Sequence, residues 1–136
     1  MNALVQTVDG VVTVDLGEEE VLDLEGGARL EPAPSVPVFL PRVLAAAASG
    51  STVVVLVDSR PPLLVSHDAG RTWRESGRGL PPGRAVAVSA DDPDLVLFAA
   101  RNRLYLSRDG GRFWRALAVE LPEIEAVALR CLAPRS

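Results

Sequence analysis

The chain has 136 residues, of which 48% are hydrophobic and 24% charged, with a formal net charge of −4. A chain of this size holds at most one domain, its composition excludes a disordered polymer, and its longest apolar run, residues 43–48, is far too short to cross a bilayer. Six aromatics, a single histidine, no lysine and a negative net charge exclude a general nucleic-acid binder.

The first residues lack a basic segment and a long apolar core, so no secretion signal is expected. Cys131 stands alone, which excludes an internal disulfide framework. Both point to the cytoplasm. Residues 3–14 form two apolar runs around Asp9-Gly10, and Asp-Gly between apolar runs predicts a hairpin. Residues 21–24 predict a further strand, although 18–24 also read as one acidic helical turn. Residues 31–37 form a Pro-rich connector, extended and unable to pair as a central strand.

Residues 43–48 read as a helix on their alanines, but a strand is preferred because the related segment 85–88 alternates and contains valine. Short apolar runs follow at 53–57 and 63–65, and strands suit such lengths better than helices. Then comes Ser66-His67-Asp68-Ala69-Gly70-Arg71-Thr72-Trp73, followed by a polar stretch, Arg74-Glu75-Ser76. The order repeats: apolar runs at 85–88, 95–98 and 104–106, then Ser107-Arg108-Asp109-Gly110-Gly111-Arg112-Phe113-Trp114. A last apolar run covers 127–129.

The two octapeptides are 41 residues apart in register. Residues 54–57 fall on 95–98, 63–65 on 104–106, and Ala45-Ala46-Ala47 on Val86-Ala87-Val88, without gaps. A constant period of this size marks a repeat architecture. Each unit reads as four strands. Adding 41 again places Val127-Ala128-Leu129 on Val86-Ala87-Val88, and the chain ends soon after. Residues 3–14 align on 95–106 with Asp9-Gly10 on Arg101-Asn102, so the chain start supplies the missing strands of a third unit. In that unit Asp15, Gly17, Glu19 and Leu22 replace Ser, Asp, Gly and Trp.

The octapeptide has a physical reading. Gly70 and Gly111 supply the positive φ of a tight turn. Asp68 and Asp109 accept backbone N–H bonds a few residues on, and the Ser66 and Ser107 hydroxyls join as donor and acceptor. Trp73 and Trp114 are fit to be buried as wedges between sheets.

This S-x-D-x-G-x-x-W pattern resembles the Asp-box, or BNR repeat, of the β-propellers of sialidases, sortilin-type receptors and photosystem II assembly factors. The resemblance covers residues 43–129 closely and 3–24 loosely. It implies an all-β fold of four-stranded antiparallel blades: 43–83, 84–124, and a split blade of 3–24 plus 125–132. It also implies that the Asp-box residues Ser66, Asp68, Gly70, Thr72, Trp73, Ser107, Asp109, Gly111 and Trp114 are structural staples away from any active site. Three blades do not close a ring, whereas six do. A homodimer forming one six-bladed ring is therefore predicted, with the split blade closing within one chain or across two.

Sialidases clamp a carboxylate with three arginines and attack with a tyrosine activated by a glutamate. Their Phe/Tyr-Arg-Ile-Pro motif is absent, since Phe39-Leu40-Pro41-Arg42 has the wrong order. Tyr105, the lone tyrosine, falls inside a strand. His67 occupies a variable turn position, and Ser66-His67-Asp68 are adjacent residues rather than a triad. Cys131 reads as inert, and no residue grouping has metal-ligand spacing. A non-catalytic binding or assembly module is expected, with no cofactor, no metal, no membrane, and an unnamed protein or small-molecule ligand. The alternative is a degenerate or oligomer-built glycosidase, favoured if arginines converge with Tyr105 and a glutamate in one pocket.

Charge is uneven. Residues 1–31 hold eight carboxylates against Arg29, while residues 60–115 hold ten arginines against six carboxylates. The plain reading is solvated loops. The sharper one sets the acidic blade beside a basic blade, of the same or of another chain, as complementary surfaces.

Overall fold

The computed structural model describes residues 1–31, 36, 38 and 40–130. Among them there are twelve strands and no helix: β1 (Asn2–Thr7), β2 (Gly10–Asp15), β3 (Glu20–Gly26), β4 (Val43–Ser49), β5 (Thr52–Val57), β6 (Leu63–Ser66), β7 (Arg74–Ser76), β8 (Ala85–Val88), β9 (Val96–Ala99), β10 (Arg103–Ser107), β11 (Arg115–Glu120) and β12 (Ile124–Arg130). They form three antiparallel four-stranded sheets. The first blade is β4-β5-β6-β7, the second is β8-β9-β10-β11, and the split blade is β12-β1-β2-β3. The split blade closes within the chain, because Val127 pairs with Val5 and Ala128 with Leu4. Residues 131 and 132, including Cys131, and most of the Pro-rich connector lie outside the described residues.

The inner strand of the second blade, β8, packs between β12 on one side and β4 on the other. The second blade is therefore the middle of an open array. Its two faces feed two cores. Leu95, Leu97, Leu104 and Leu106 meet Ala3, Val5, Val12 and Val14 of the split blade. Val86, Val96 and Phe98 meet Val54, Leu56, Leu63 and Val65 of the first blade. Period-two alternation explains this division, since neighbouring strand residues point to opposite faces.

Two alignments inferred from sequence shift by one residue. Thr7 pairs with Gly10, so the turn is Val8-Asp9 rather than Asp9-Gly10. Gly10 opens β2 at φ 135°, and a Cβ there would meet the Glu25 carbonyl oxygen at 2.1 Å. Val8-Asp9 thus corresponds to Arg101-Asn102. The slip matters because it exchanges the faces: Ala3 and Val5 match Val96 and Phe98, on the side facing the preceding partner. The second shift is in β4, whose register slips between Val43 and Ala45. Ala45 pairs with Leu56, while Ala87 pairs with Leu97. Ala45 therefore corresponds to Ala87 and not to Val86. Of the segment considered as an acidic helical turn, residues 20–24 belong to strand β3, while Glu18 and Glu19 lie in the turn before it, where the Glu19 N–H donates to the Asp15 carbonyl at 2.7 Å.

The first blade's outer face is not bare. Val36, Val38 and Leu40 pack on Val53, Val55 and Val57. On the split blade's outer face, the Leu30 N–H donates to Gln6 Oε1 at 2.8 Å. Val36, Val38 and Leu40 thus cover the first blade's outer face as the terminal caps of repeat proteins do.

Candidate functional site

Each octapeptide lies between the third and fourth strands of its blade. In the first, Ser66 Oγ donates to Asp68 Oδ1 at 2.7 Å and accepts from the Gly70 N–H at 2.8 Å. Asp68 Oδ1 accepts from the Thr72 N–H at 2.8 Å, and Oδ2 accepts from Thr72 Oγ1 at 2.6 Å. In the second, Ser107 Oγ donates to Asp109 Oδ1 at 2.7 Å and accepts from Gly111 N–H at 2.9 Å. The Arg112 and Phe113 N–H groups complete Asp109 at 3.1 and 3.0 Å. Gly70 and Gly111 have φ of 90° and 91°. The preceding residues are left-handed too, Ala69 at 60° and Gly110 at 74°.

These bonds favour the charged carboxylate. Asp68 is held well below the usual range, first by the Thr72 hydroxyl and N–H and then by Ser66. Asp109 is lowered first by the Phe113 N–H, with Ser107 and Arg112 adding to it against partial desolvation. The split blade has no box, but Asp15 Oδ1 caps its turn through the Gly17 and Glu18 N–H groups at 2.8 and 3.1 Å.

The tryptophans are half-buried rather than fully buried. Trp114 meets Phe98 edge-on at 6.1 Å. Its indole N–H crosses to Ser76 Oγ of the first blade at 3.1 Å, and Ser76 Oγ donates to the Gly111 carbonyl. Trp73 lies on the first blade's outer cluster. His67 is exposed in its turn, 3.4 Å from Thr52 Oγ1 through Nδ1.

Along the seam between the first and second blades runs an open groove in two parts. The part beside the second octapeptide is about 560 Å³ and is lined by Arg74, Arg78, Arg112, Phe113 and Trp114. The other is about 810 Å³, with Arg60, Pro61, Pro62, Pro81, Pro82 and Tyr105 in its wall. Glu75, Arg78, Gly79 and Leu80 belong to both. Tyr105 lies on β10 opposite Phe98 and meets its ring edge-on at 5.8 Å. Prolines have no N–H, so they offer packing surface without donors.

Among the described residues Arg60, Arg74, Arg78 and Arg112 form no ion pair, while Arg84 and Arg101 share Glu123 and Arg103 holds Glu120. No hydrogen bond joins the Tyr105 hydroxyl to a carboxylate among those residues. No group of histidine, cysteine, aspartate and glutamate among them could hold a metal ion, and no helix is long and apolar enough to cross a membrane. The two turns tied by Ser and Asp side chains were legible from the octapeptides. The groove was not, because its arginines are scattered over residues 60–112 and meet only through blade packing.

The fold defines the class: this is a β-propeller-type protein. Among solved structures the chain is similar to YCF48 bound to D1 peptide, at 19% identity and a TM-score of 0.48 over 85% of this chain and 36% of that one. It is similar also to the GH74 enzyme of Niastella koreensis, at 21% identity and a TM-score of 0.50 over 88% of this chain and 18% of that one. The chain thus spans about a third and a fifth of those proteins. No protein-family model matches it, and no curated protein matches it.

Proposed function

We propose that this protein is a non-catalytic propeller-type binding and assembly module that engages acidic ligands along the seam groove. The observation that carries this reading is the groove's composition. Four arginines without carboxylate partners among the described residues stand beside aromatic and proline side chains. Guanidinium groups bind carboxylates in forked geometry and lie flat on aromatic rings. Three further arginines nearby are paired with Glu120 and Glu123. A cytoplasmic location belongs to the same proposal.

A test uses an extended peptide of alternating glutamate and leucine, followed through Trp114 fluorescence. Saturable binding that is lost in Arg78→Glu is the expected result; binding equal in both proteins defeats the reading. Fluorogenic sialosides and β-glucans are expected to give no turnover.

A glycoside hydrolase is the second reading, favoured by one observation: Tyr105, Arg60, Arg78 and Glu75 line one cleft. Turnover abolished by Tyr105→Phe would establish it in place of the first.

The assembly part of the proposal is a homodimer. Two chains supply the six blades of a closed ring, and the middle blade supports pairing. Its inner strand β8 is largely buried, whereas β4 and β12, each flanked on one side, are half-exposed. The connector, however, covers the first blade's outer face through Val36, Val38 and Leu40. Ring closure would therefore set the partner's split blade against Val36, Val38 and Leu40.

A further inference from the structure

We infer that a second copy of the chain docks rim to rim, its acidic β3 segment lying in the arginine groove of its partner and the reverse contact forming at the same time. This rests on the homodimer part of the reading above alone, and puts a rim-to-rim contact in place of the closed six-bladed ring.

The repeat supplies an internal comparison. At the seam between the second and split blades, Arg115 of the outer strand β11 meets Glu19 at 2.6 Å. The Ala118 N–H donates to the same carboxylate at 3.0 Å. Arg115 and then the Ala118 N–H hold Glu19 below its ordinary range. At the seam between the first and second blades, the residue 41 positions before Arg115 is Arg74. The turn facing it presents Arg112 where the split blade presents Glu19. Both line the groove. One seam is thus neutralised by its own carboxylate, whereas Arg74 and Arg112 at the equivalent seam form no ion pair among the described residues, with Glu75 in the same groove wall.

The missing carboxylates are on the same molecule. β3 and its preceding turn carry Glu18, Glu20, Asp23 and Glu25, all exposed and in no ion pair among the described residues. The strand is an unpaired sheet edge. Val21, Leu22 and Leu24 on it are 46%, 50% and 52% exposed. The groove offers matching apolar surface in Trp114, Leu80 and Phe113, the last 79% exposed. Exposed aliphatic edge strands invite pairing, and charge decides with what.

The layout suits a two-fold axis. β11 lies between the two features: the acidic segment touches it through Glu19 and Arg115, and the groove begins at Trp114 just before it. Along the rim the order is acidic segment, β11, basic groove. A two-fold axis near β11 sets each acidic segment opposite the partner's groove, which is the self-complementarity an isologous interface requires.

The test measures mass by light scattering on the full chain, wild type and two variants, Glu20→Arg/Asp23→Arg and Arg74→Glu/Arg112→Glu. Wild type at high micromolar concentration is expected at twice the 14.4 kDa chain mass. Each variant should dissociate at least about tenfold more readily, and an equimolar mixture of the two should recover the dimer. Raising salt from about 0.1 M to about 1 M, which shortens the Debye length from about 10 Å to about 3 Å, should weaken the wild-type dimer. Wild type monomeric at every concentration overturns the proposal. So does a dimer that neither reversal weakens, which would place the interface on the blade faces. The peptide titration reads the groove's binding role separately, since a monomer can still bind peptide.

Discussion

Ser66 Oγ stands 2.7 Å from Asp68 Oδ1, donating to the carboxylate while it accepts the Gly70 N–H. One hydroxyl thereby ties the carboxylate to the glycine that turns the chain. Removing either partner unties several backbone donors together. Asp109→Ala should lower the melting temperature by about 3 °C or more, and Asp109→Asn, which keeps an acceptor oxygen, by less. Equal melts for the three proteins would remove the stapling role.

The same carboxylates set the acid limit of stability. Asp68 and Asp109 have lowered folded-state values, so their contribution is complete above the unfolded carboxylate value of about 3.9 and is lost as pH falls through the folded values. Stability should decline below about pH 4 in the wild type. The double variant Asp68→Asn/Asp109→Asn should start lower and lose less over that range, as urea unfolding at stepped pH would show. Parallel pH curves would contradict this.

Ala69 adopts φ 60° where the second box has Gly110 at 74°. A left-handed alanine carries a steric cost that glycine escapes. Ala69→Gly should therefore stabilise the protein by up to about 1 kcal/mol. The reciprocal change, Gly110→Ala, meets His67 Cε1 at 2.8 Å as well as the backbone strain and should destabilise. Urea midpoints decide both.

Gly83 marks tight packing between the first two blades. A Cβ there would stand 2.5 Å from Leu56 Cδ1 and 2.5 Å from Phe98 Cε2, and both side chains are fully buried. Gly83→Ala should cost about 1–3 kcal/mol through overpacking. Phe98→Ala should cost about 3–5 kcal/mol, since its ring bears both Tyr105 and Trp114. A neutral Gly83→Ala in denaturant unfolding would mean that the two blades separate freely at this point.

What the amino-acid order determined by itself is local and periodic. Octapeptides 41 residues apart, with glycine at the positive-φ slot and a carboxylate two residues earlier, specify a turn whose donors and acceptors all lie within a few residues. The strand count and the split blade follow from the same period. Where the repeat decays, it ceased to be a guide. The hairpin at Val8-Asp9 was displaced by one residue because the Asp-Gly pair marks a turn region without setting which residues pair, and that slip exchanged the two faces of the split blade. The half-burial of Trp73 and Trp114, the cover of Val36, Val38 and Leu40 on the first blade, and the placement of Arg74 and Arg112 along one groove were decided only by tertiary structure. Each depends on how one sheet lies against the next. That geometry is set by many side chains together and leaves no signature in any one stretch of the chain.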